Sequence, residues 1–530
     1  MTLFHLRHAL AGWAFICFAA PAIAASPSTP PTAHVEAGIV SGIHDAATGL
    51  NEFKGMPYAA PPVGQRRWKP PRPVAAWQGV RKADRFGPRC MQRPLFGDMV
   101  FRSDGMSEDC LYLNVWTPAA HAGKKLPVLV YFYGGGFVAG DGSEPRYDGA
   151  SLARRGIVTV TVNYRLGVFG FLALPALAKE SPHHATGNYG LLDQVAALRW
   201  VRRNIAAFGG DPQRITIGGE SAGSMSVSAL MASPLSKNLM QGAIGESGSM
   251  LGNLTPRPRA LAEKQGGAFR RRVGAHTLAE LRALPATTLL AAAGDKGVAR
   301  FMPDIDGYFL PRAPEAIYRA GQQAHVPLLV GSNSHEGYYT YLLNHATPTP
   351  AHYRAAVKQL FGAHADEALT LYPGRDEAEV KASGTALSGD RFIAFATWRW
   401  MQWQRQTGKA AVYYYYFTQP RPVARDGSAG PGTGAVHSGE IEYALGNLAG
   451  NHVYAWTPAD RKVSAIMQGY FAHFIKTGNP NGTGLPSWPV ATPNRHGLPR
   501  QVIGADTHTR MDRNAARYRF IQRMDAGKHL

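Results

Sequence analysis

The 530-residue chain is poor in cysteine, in acidic residues and in sequence repeats. Its three cysteines come without clustered histidines, and no His-Glu-x-x-His string occurs, which argues against a metal site and against a zincin. No helical repeat, Gly-X-Y period or heptad run is present, which excludes solenoid, collagen-like and coiled-coil folds. With 45% apolar and 17% charged residues, the chain instead has the composition of a globular protein with a large core.

The first 24 residues have the features of a secretory signal peptide. Arg7 gives a positive start, an apolar run follows over residues 9–20, and Ala22 and Ala24 supply small residues at the spacing that signal peptidase reads. The apolar run is too short to cross about 30 Å of hydrocarbon comfortably, although an N-terminal anchor is the alternative. Cys17 does not fit a lipoprotein signal, because the residues before it are bulky. We therefore expect cleavage after Ala24 and a secreted or periplasmic protein.

The remaining chain predicts a short leader and one domain. Residues 25–35, with their Pro- and Ser-rich start, predict a flexible leader, and residues 36–525 contain no Ser/Gly linker that would separate two domains. Without the signal peptide two cysteines remain, Cys90 and Cys110. In an oxidising compartment such a pair is most simply a disulfide, which would close a loop of about 20 residues and stabilise the fold by about 3 kcal/mol.

Runs of β-forming residues alternate with helical patterns along the chain. Strands that are apolar throughout predict burial on both faces, as in a mostly parallel sheet with helices on both sides. The proline-rich part up to residue 116 predicts an antiparallel N-terminal edge, and residues 251–324 predict a helical insertion over the active-site side. Residues 189–208 have apolar residues at helical spacing. Strands are expected at residues 126–133, 157–164, 214–219, 241–246, 326–331 and 410–417.

The segment Gly219–Gly223 (GESAG) matches the Gly-x-Ser-x-Gly pattern between a predicted strand and a predicted helix. Such a strand–turn–helix projects the serine Oγ above the sheet, and flanking glycines avoid clashes with neighbouring elements. Ser221 is therefore the candidate nucleophile. Ser247 lies in a similar string that lacks the final glycine, so a structural role is expected for it.

Three consecutive glycines follow the predicted strand at residues 126–133. Attack by a serine on a carbonyl creates an oxyanion, which needs preorganised N–H donors about 2.7–3.1 Å away. The backbone N–H groups of Gly135 and Gly136, with that of Ala222 just after the serine, are the candidate donors. A plain flexible loop is the alternative.

Several spaced motifs make the chain resemble the type-B carboxylesterase/lipase family of α/β-hydrolases, over nearly the whole mature chain. The segment Phe208–Gly223 resembles the active-site signature of that family, and Ser107–Val115 resembles its second signature. Further matches are Gly55–Ala59 with Pro61–Gly64, Asn163–Gly167 and Thr477–Asn481.

The resemblance implies the partners of Ser221. The loop Gly331–Gly337 resembles the acid loop of the family, which implies Glu336 as the triad acid, and Gly434–Glu440 resembles its histidine loop, which implies His437 as the base. The alternatives are a solvated loop carboxylate and a neutral loop histidine. Glu220, Ser247 and Glu440 are expected to surround the triad; for Glu220, a buried carboxylate satisfied by backbone or water is the alternative to a role beside the imidazolium. The family also pairs cysteines at the positions of Cys90 and Cys110.

The implied activity is carboxylic ester hydrolysis through an acyl-enzyme intermediate, without a cofactor or metal. Short- or medium-chain and aryl esters, including anionic ones, are the expected small-molecule substrates. The alternatives are a true lipase for long-chain acylglycerols and a non-catalytic binding module like those related to cholinesterases. Against a lipase, the apolar residues of segment 91–109 are interrupted by charged ones, which is unlike an interfacial lid.

A net charge of +20 raises the question of anionic partners. The densest basic cluster, Arg270–Arg272, is interpreted as a solvated helix face, because basic residues are otherwise spread along the chain. No specific nucleic-acid partner and no integral membrane association are expected. No interface stripe stands out, so the sequence leaves the oligomeric state open.

Overall fold

The computed structural model describes residues 30–118 and 124–526. The predicted signal peptide, residues 1–24, lies outside this range, as do residues 25–29 of the predicted leader. Residues 32–35 form a β-strand that pairs antiparallel with residues 38–41. The predicted end of the leader at residue 35 is therefore wrong, because regular backbone pairing already begins at Thr32.

Strands and helices alternate from residue 126 onward, as the sequence predicts. The strands are β1 (Thr32–Val35), β2 (Gly38–Ser41), β3 (Ile43–Asp45), β4 (Leu50–Pro57), β5 (Val80–Lys82), β6 (Arg89–Cys90), β7 (Met106–Ser107), β8 (Tyr112–Pro118), β9 (Leu126–Phe132), β10 (Val158–Val162), β11 (Gly210–Glu220), β12 (Gly242–Glu246), β13 (Arg257–Pro258), β14 (Asp304–Ile305), β15 (Leu328–Asn333), β16 (Val412–Phe417), β17 (Pro499–Ile503) and β18 (His508–Met511). The α-helices are α1 (Ala150–Ala153), α2 (Gly167–Phe171), α3 (Pro175–Glu180), α4 (Tyr189–Asn204), α5 (Ala222–Ala232), α6 (Arg259–Arg272), α7 (Leu278–Ala283), α8 (Ala286–Ala293), α9 (Pro314–Arg319), α10 (Tyr339–Leu342), α11 (Pro350–Phe361), α12 (Ala365–Leu371), α13 (Glu377–Gly389), α14 (Phe395–Thr407), α15 (Ile441–Leu445), α16 (Pro458–Thr477) and α17 (Ala515–Ala526).

Within the described residues, eleven strands form one large sheet. Its order is β18-β17-β16-β15-β12-β11-β9-β10-β8-β4-β3. The seven strands from β17 to β10 pair in parallel, whereas β10 with β8, β8 with β4, β4 with β3, and β17 with β18 pair antiparallel. The predicted mostly parallel sheet with an antiparallel N-terminal edge is confirmed.

Helices cover both faces of this sheet. In strand β12, a Cβ on Gly242 would lie 3.7 Å from Phe474 of α16, and a Cβ on Gly245 would overlap the Trp400 ring of α14. Residues three apart in a strand face opposite sides, so α16 and α14 lie on opposite faces. The central strands are accordingly buried on both sides; all five residues of β10 (VTVTV), for example, are buried.

The predicted insertion at residues 251–324 is helical, with α6 to α9, and it also contains the short strand pair β13 and β14.

The Sγ atoms of Cys90 and Cys110 are bonded to each other. This disulfide joins the two ends of segment 91–109. No helix of the described residues is long and apolar enough to cross a membrane.

Candidate active site

The predicted site residues lie at the carboxyl ends of neighbouring parallel strands, where open α/β sheets bind their ligands. Ser221 stands between β11 and α5, and the glycine loop 134–136 follows β9. Glu336 comes three residues after β15, and His437 lies in the long loop after β16. The order of the strands thus explains why residues more than 200 positions apart meet.

Ser221 occupies a tight turn between strand and helix. Its φ of +54° and ψ of −118° lie outside the regions that non-glycine residues favour. Its N–H donates to the Glu246 carbonyl (2.9 Å). A Cβ on Gly219 would lie 2.6 Å from the Phe132 carbonyl oxygen, and a Cβ on Gly223 would overlap that same oxygen. Both flanking glycines are therefore required by the close approach of the turn to β9.

The structure brings Ser221, His437 and Glu336 together. The Oγ of Ser221 lies 2.9 Å from Nε2 of His437, and Nδ1 of His437 lies 2.7 Å from Oε2 of Glu336. The His437 side chain is 22% exposed and that of Glu336 only 1%. The histidine thus links an accessible hydroxyl to a buried carboxylate, an arrangement that can move a proton from the hydroxyl.

Hydrogen bonds hold the carboxylate of Glu336 within its loop and connect this loop to the loop of His437. The Asn333 N–H donates to Oε1 of Glu336 (2.7 Å), and Nδ2 of Asn333 donates to the Val436 carbonyl (2.8 Å). The His335 N–H donates to the Ala435 carbonyl (2.8 Å). These contacts fix the carboxylate relative to the imidazole.

Glu220 is a second buried carboxylate beside the imidazole. Its Oε1 lies 3.4 Å from Nε2 of His437. Burial opposes protonation of His437, but the negative charges of Glu220 and Glu336 outweigh it and raise the pKa of His437 to about 10. Burial also raises the pKa of Glu220 well above its usual range. Glu220 and His437 therefore compete for one proton.

Ser247 and Glu440 lie behind the triad. The buried Ser247 hydroxyl donates to Oε1 of Glu440 (2.9 Å), and Nδ2 of Asn333 donates to the other oxygen. Burial raises the pKa of Glu440 to about 7. The Ser247 hydroxyl is thus hydrogen-bonded to a carboxylate rather than to His437, in keeping with its expected structural role.

The glycine loop lies next to Ser221. Gly135 and Gly136 have φ of +99° and +62°, a backbone region that favours glycine, and both line the same cavity as Ser221. Ala222 is the first residue of α5, where N–H groups have no partner within the helix. Gly135 and Gly136 therefore share a cavity with Ser221, and Ala222 directly follows it in the chain.

A cavity of about 530 Å³ contains Ser221 and His437. Several of its wall residues were not singled out from the sequence: Arg257 and Arg300 of the insertion, Phe392 of a short π-helical segment, and Met99 of segment 91–109. The Phe392 ring contacts the imidazole of His437, with 5.1 Å between the ring centroids. No motif marks these residues, so only the fold identifies them.

Among the described residues, no group of three or more His, Cys, Asp or Glu side chains could hold a metal ion. The cavity wall contains a hydroxyl, an imidazole, carboxylates, backbone N–H groups and guanidinium groups. A hydroxyl activated by an imidazole beside backbone donors can attack a carbonyl carbon and stabilise the oxyanion that results.

Comparison with known proteins agrees with this geometry. A family model described as the carboxylesterase family matches residues 29–521. Fumonisin B1 esterase of Sphingopyxis macrogoltabida is 36% identical, and the alignment covers 90% of this chain and 88% of that protein. Para-nitrobenzyl esterase of Bacillus subtilis is 37% identical, with 83% of this chain and 89% of that protein covered.

Solved structures agree as well. A structure of PNB esterase superposes with a TM-score of 0.79 at 33% identity and covers 93% of this chain and 99% of the other. A carboxylesterase of Geobacillus stearothermophilus gives a TM-score of 0.79 at 34% identity, with 92% and 99% covered. These likenesses confirm the predicted α/β-hydrolase fold.

Proposed function

Because the chain belongs to the carboxylesterase family, we propose that Ser221, His437 and Glu336 form a catalytic triad for ester hydrolysis. Family membership makes the protein a carboxylesterase of the α/β-hydrolase superfamily, an enzyme that acts on small-molecule esters. The observation that carries the triad is the continuous contact from Oγ of Ser221 through His437 to the carboxylate of Glu336.

In the first half-reaction, Nε2 of His437 accepts the Ser221 proton as Oγ attacks the ester carbonyl carbon. The carboxylate of Glu336 keeps the other ring nitrogen protonated and stabilises the imidazolium that forms. His437 then gives the proton to the leaving alcohol, and an acyl-enzyme remains on Ser221. In the second half-reaction His437 takes a proton from water, which attacks the acyl carbon; His437 then returns the proton to Oγ of Ser221 as the bond between Oγ and the acyl carbon breaks and the acid leaves.

The oxyanion of each tetrahedral intermediate needs donors that are in place before the reaction. We assign this role to the N–H groups of Gly135, Gly136 and Ala222. Their support is the glycine conformation of the loop and the position of Ala222 at the start of α5. Glu220, Ser247 and Glu440 act indirectly, through the charge and position of the imidazole and of the acid loop.

The expected substrates are short- or medium-chain and aryl esters. A cavity of about 530 Å³ falls within the usual range of small-ligand sites. In segment 91–109, Asp98 contributes to the cavity wall and its carboxylate pairs with Arg146 (3.0 Å), so the segment is fastened to the site by a charged contact. This supports a fixed wall rather than the apolar lid of a lipase.

A panel of p-nitrophenyl esters from acetate to palmitate tests this function. We expect the highest kcat/KM for acyl chains of acetate to octanoate length, and a fall of at least about 10⁴-fold in the variant Ser221→Ala. Ser428→Ala, in an exposed loop, is the matched control and keeps the wild-type rate. Rates that rise steadily to palmitate would instead identify a lipase, and a full rate in Ser221→Ala would refute the triad.

We also propose that the chain is exported and cleaved after Ala24. This proposal rests on the sequence of residues 1–24 and is compatible with the disulfide between Cys90 and Cys110. N-terminal sequencing of the protein from the periplasmic fraction of an expressing bacterium tests it. Ala25 is the expected first residue; an intact Met1 in the membrane fraction would identify an anchor instead.

A further inference from the structure

Two arginines without an acidic partner line the candidate active-site cavity. Arg257 and Arg300 both belong to its wall, and neither forms an ion pair with an Asp or Glu among the described residues. The third arginine of the wall, Arg146, already pairs with Glu144 and Asp98. The cavity therefore holds two guanidinium charges that no carboxylate of the described protein neutralises by direct contact.

One glutamine contacts both arginines, Arg257 through its side chain and Arg300 through its backbone. Gln265 of α6 accepts a hydrogen bond from Nη1 of Arg257 and donates to the carbonyl of Arg300 (3.0 Å). The backbone of Arg257 is also fixed, because its N–H donates to the Pro303 carbonyl (3.0 Å). Gln265 thus holds the guanidinium group of Arg257 and the backbone of Arg300 in one small unit of the insertion.

Arg300 reaches the glycine loop. Its Nη1 would lie 3.5 Å from a Cβ built on Gly136, so the guanidinium is next to the proposed oxyanion donors. The other atoms of the cavity wall include apolar groups of Phe96, Met99 and Leu254. Arg300 is exposed and Arg257 is half-buried, so an anion bound here would meet positive charge beside apolar surface.

We propose that Arg257 and Arg300 form a carboxylate-binding subsite, so that preferred substrates are esters carrying a free carboxylate near the scissile bond. This inference deepens the proposed function and rests on it. The planar guanidinium fork matches the geometry of a carboxylate, and charge-assisted hydrogen bonds are the stronger ones. The bound carboxylate does not react: water cleaves the ester bond, and the subsite orients the substrate and selects for its charge.

Matched pairs of esters test the subsite and locate the carboxylate. With the charge on the alcohol side, 4-acetoxybenzoate is compared with phenyl acetate. With the charge on the acyl side, the monophenyl ester of glutaric acid is compared with phenyl pentanoate. The ratio of kcat/KM for the charged and the neutral ester is measured for wild type, Arg257→Gln, Arg300→Gln and the double variant.

Arg271→Gln is the control for the single variants, because Arg271 is an exposed arginine of α6 outside the cavity wall and its replacement removes one positive charge, as each of them does. We expect wild type to favour the charged ester in at least one pair. In that pair the double variant lowers the ratio at least tenfold, which corresponds to about 1.4 kcal/mol, and Arg271→Gln leaves it unchanged. The pair that responds identifies the side of the substrate that carries the carboxylate.

An unchanged ratio in the double variant for both pairs would overturn the subsite. An equal fall of the ratio in Arg271→Gln would overturn it as well, since the whole protein charge would then attract the anion. Failure of the proposed function has a different signature, because phenyl acetate would then be hydrolysed equally by wild type and Ser221→Ala.

Discussion

At the scale of single residues, the backbone of Ser221 is the unusual feature of the site. A φ of +54° in a serine costs on the order of 1–3 kcal/mol unless the surroundings hold it. They do so through the hydrogen bond to Glu246 on one side and the start of α5 on the other, where the Met225 N–H donates to the Ser221 carbonyl (2.8 Å). The strain is what directs the hydroxyl out of the sheet toward His437.

The charge beside His437 leads to a prediction for the pH profile. The imidazole must be neutral to accept the Ser221 proton, so its raised pKa predicts that kcat/KM still rises with pH above the ordinary histidine value of 6.5. Glu220→Gln removes the largest contribution that raises this pKa. The acidic limb of the kcat/KM profile then moves to lower pH, and kcat falls about tenfold because the imidazolium loses a stabilising charge.

Glu377→Gln is the control for this measurement, since Glu377 is an exposed residue of α13 that pairs with Lys381. Glu377→Gln is expected to leave the acidic limb of the kcat/KM profile at the wild-type pH. If the acidic limb of the kcat/KM profile of Glu220→Gln is unchanged or lies at higher pH, the electrostatic account of the site is contradicted.

Which residues could be predicted depends on the kind of signal they carry. Ser221 is marked by flanking glycines, which the close approach to Phe132 requires. Glu336 and His437 are implied only by the family resemblance, because composition alone cannot select one of 19 histidines as the base. Arg257 and Arg300 carry no such mark. They lie 43 residues apart in the insertion and meet at the cavity only through the fold.

At the scale of elements, the turn between β11 and α5 must fit against the end of β9. A Cβ on Gly223 would overlap the Phe132 carbonyl oxygen and would lie 3.0 Å from the Tyr133 carbonyl oxygen. Backbone atoms cannot move aside as a flexible side chain can. The glycine is therefore required for packing as much as for the position of Ser221.

Gly223→Ala is expected to lower the free energy of unfolding by about 3 kcal/mol and to abolish most activity, because helix α5 must move away from β9. The midpoint of thermal or urea unfolding measures the first effect. Gly267→Ala is the matched control in helix α6, where the new Cβ would meet only Nη1 of Arg271 at 3.7 Å. Gly267→Ala should raise the free energy of unfolding by up to about 1 kcal/mol. An equal decrease of the free energy of unfolding in Gly223→Ala and Gly267→Ala would contradict the packing argument.

The strands of the sheet core could be predicted because most are short buried runs rich in β-branched or aromatic residues, such as β10 (VTVTV) and β16 (VYYYYF). The helical region α10 to α14, residues 339–407, and the C-terminal strands β17 and β18 were not predicted. Arg500 and Gln501 are buried polar residues of β17, and β18 is mostly half-exposed, so neither strand has a continuous apolar pattern. Pairing with the sheet, rather than local sequence, determines these strands.

At the scale of the whole molecule, the cavity is assembled from segments that are distant in sequence. Segment 91–109, the glycine loop, the insertion at 251–324 and the π-helical residue Phe392 all contribute to its wall. The Cys90–Cys110 disulfide closes the first of these segments at its base. The disulfide thus restrains both the unfolded chain and one wall of the site.

Replacing both cysteines with serine is expected to lower stability by about 3 kcal/mol, since the restraint on a loop of about 20 residues is lost. For a protein of this size that corresponds to a fall of about 3 °C in Tm. The Tm of the wild type is compared with and without reductant, and the Tm of the double variant should not change when reductant is added. Equal Tm values for wild type and variant would contradict a stabilising role of the disulfide.

The central claim is that Ser221 is the nucleophile, and covalent labelling with diethyl p-nitrophenyl phosphate tests it most directly. Attack by Oγ of Ser221 on phosphorus releases p-nitrophenol and leaves a diethylphosphoryl group on the serine. Mass spectrometry of a tryptic digest is expected to find one adduct, on residues 215–237, with loss of esterase activity in proportion to labelling and no adduct in Ser221→Ala. An adduct on the peptide that contains Ser247, or full activity after Ser221 is labelled, would contradict the account.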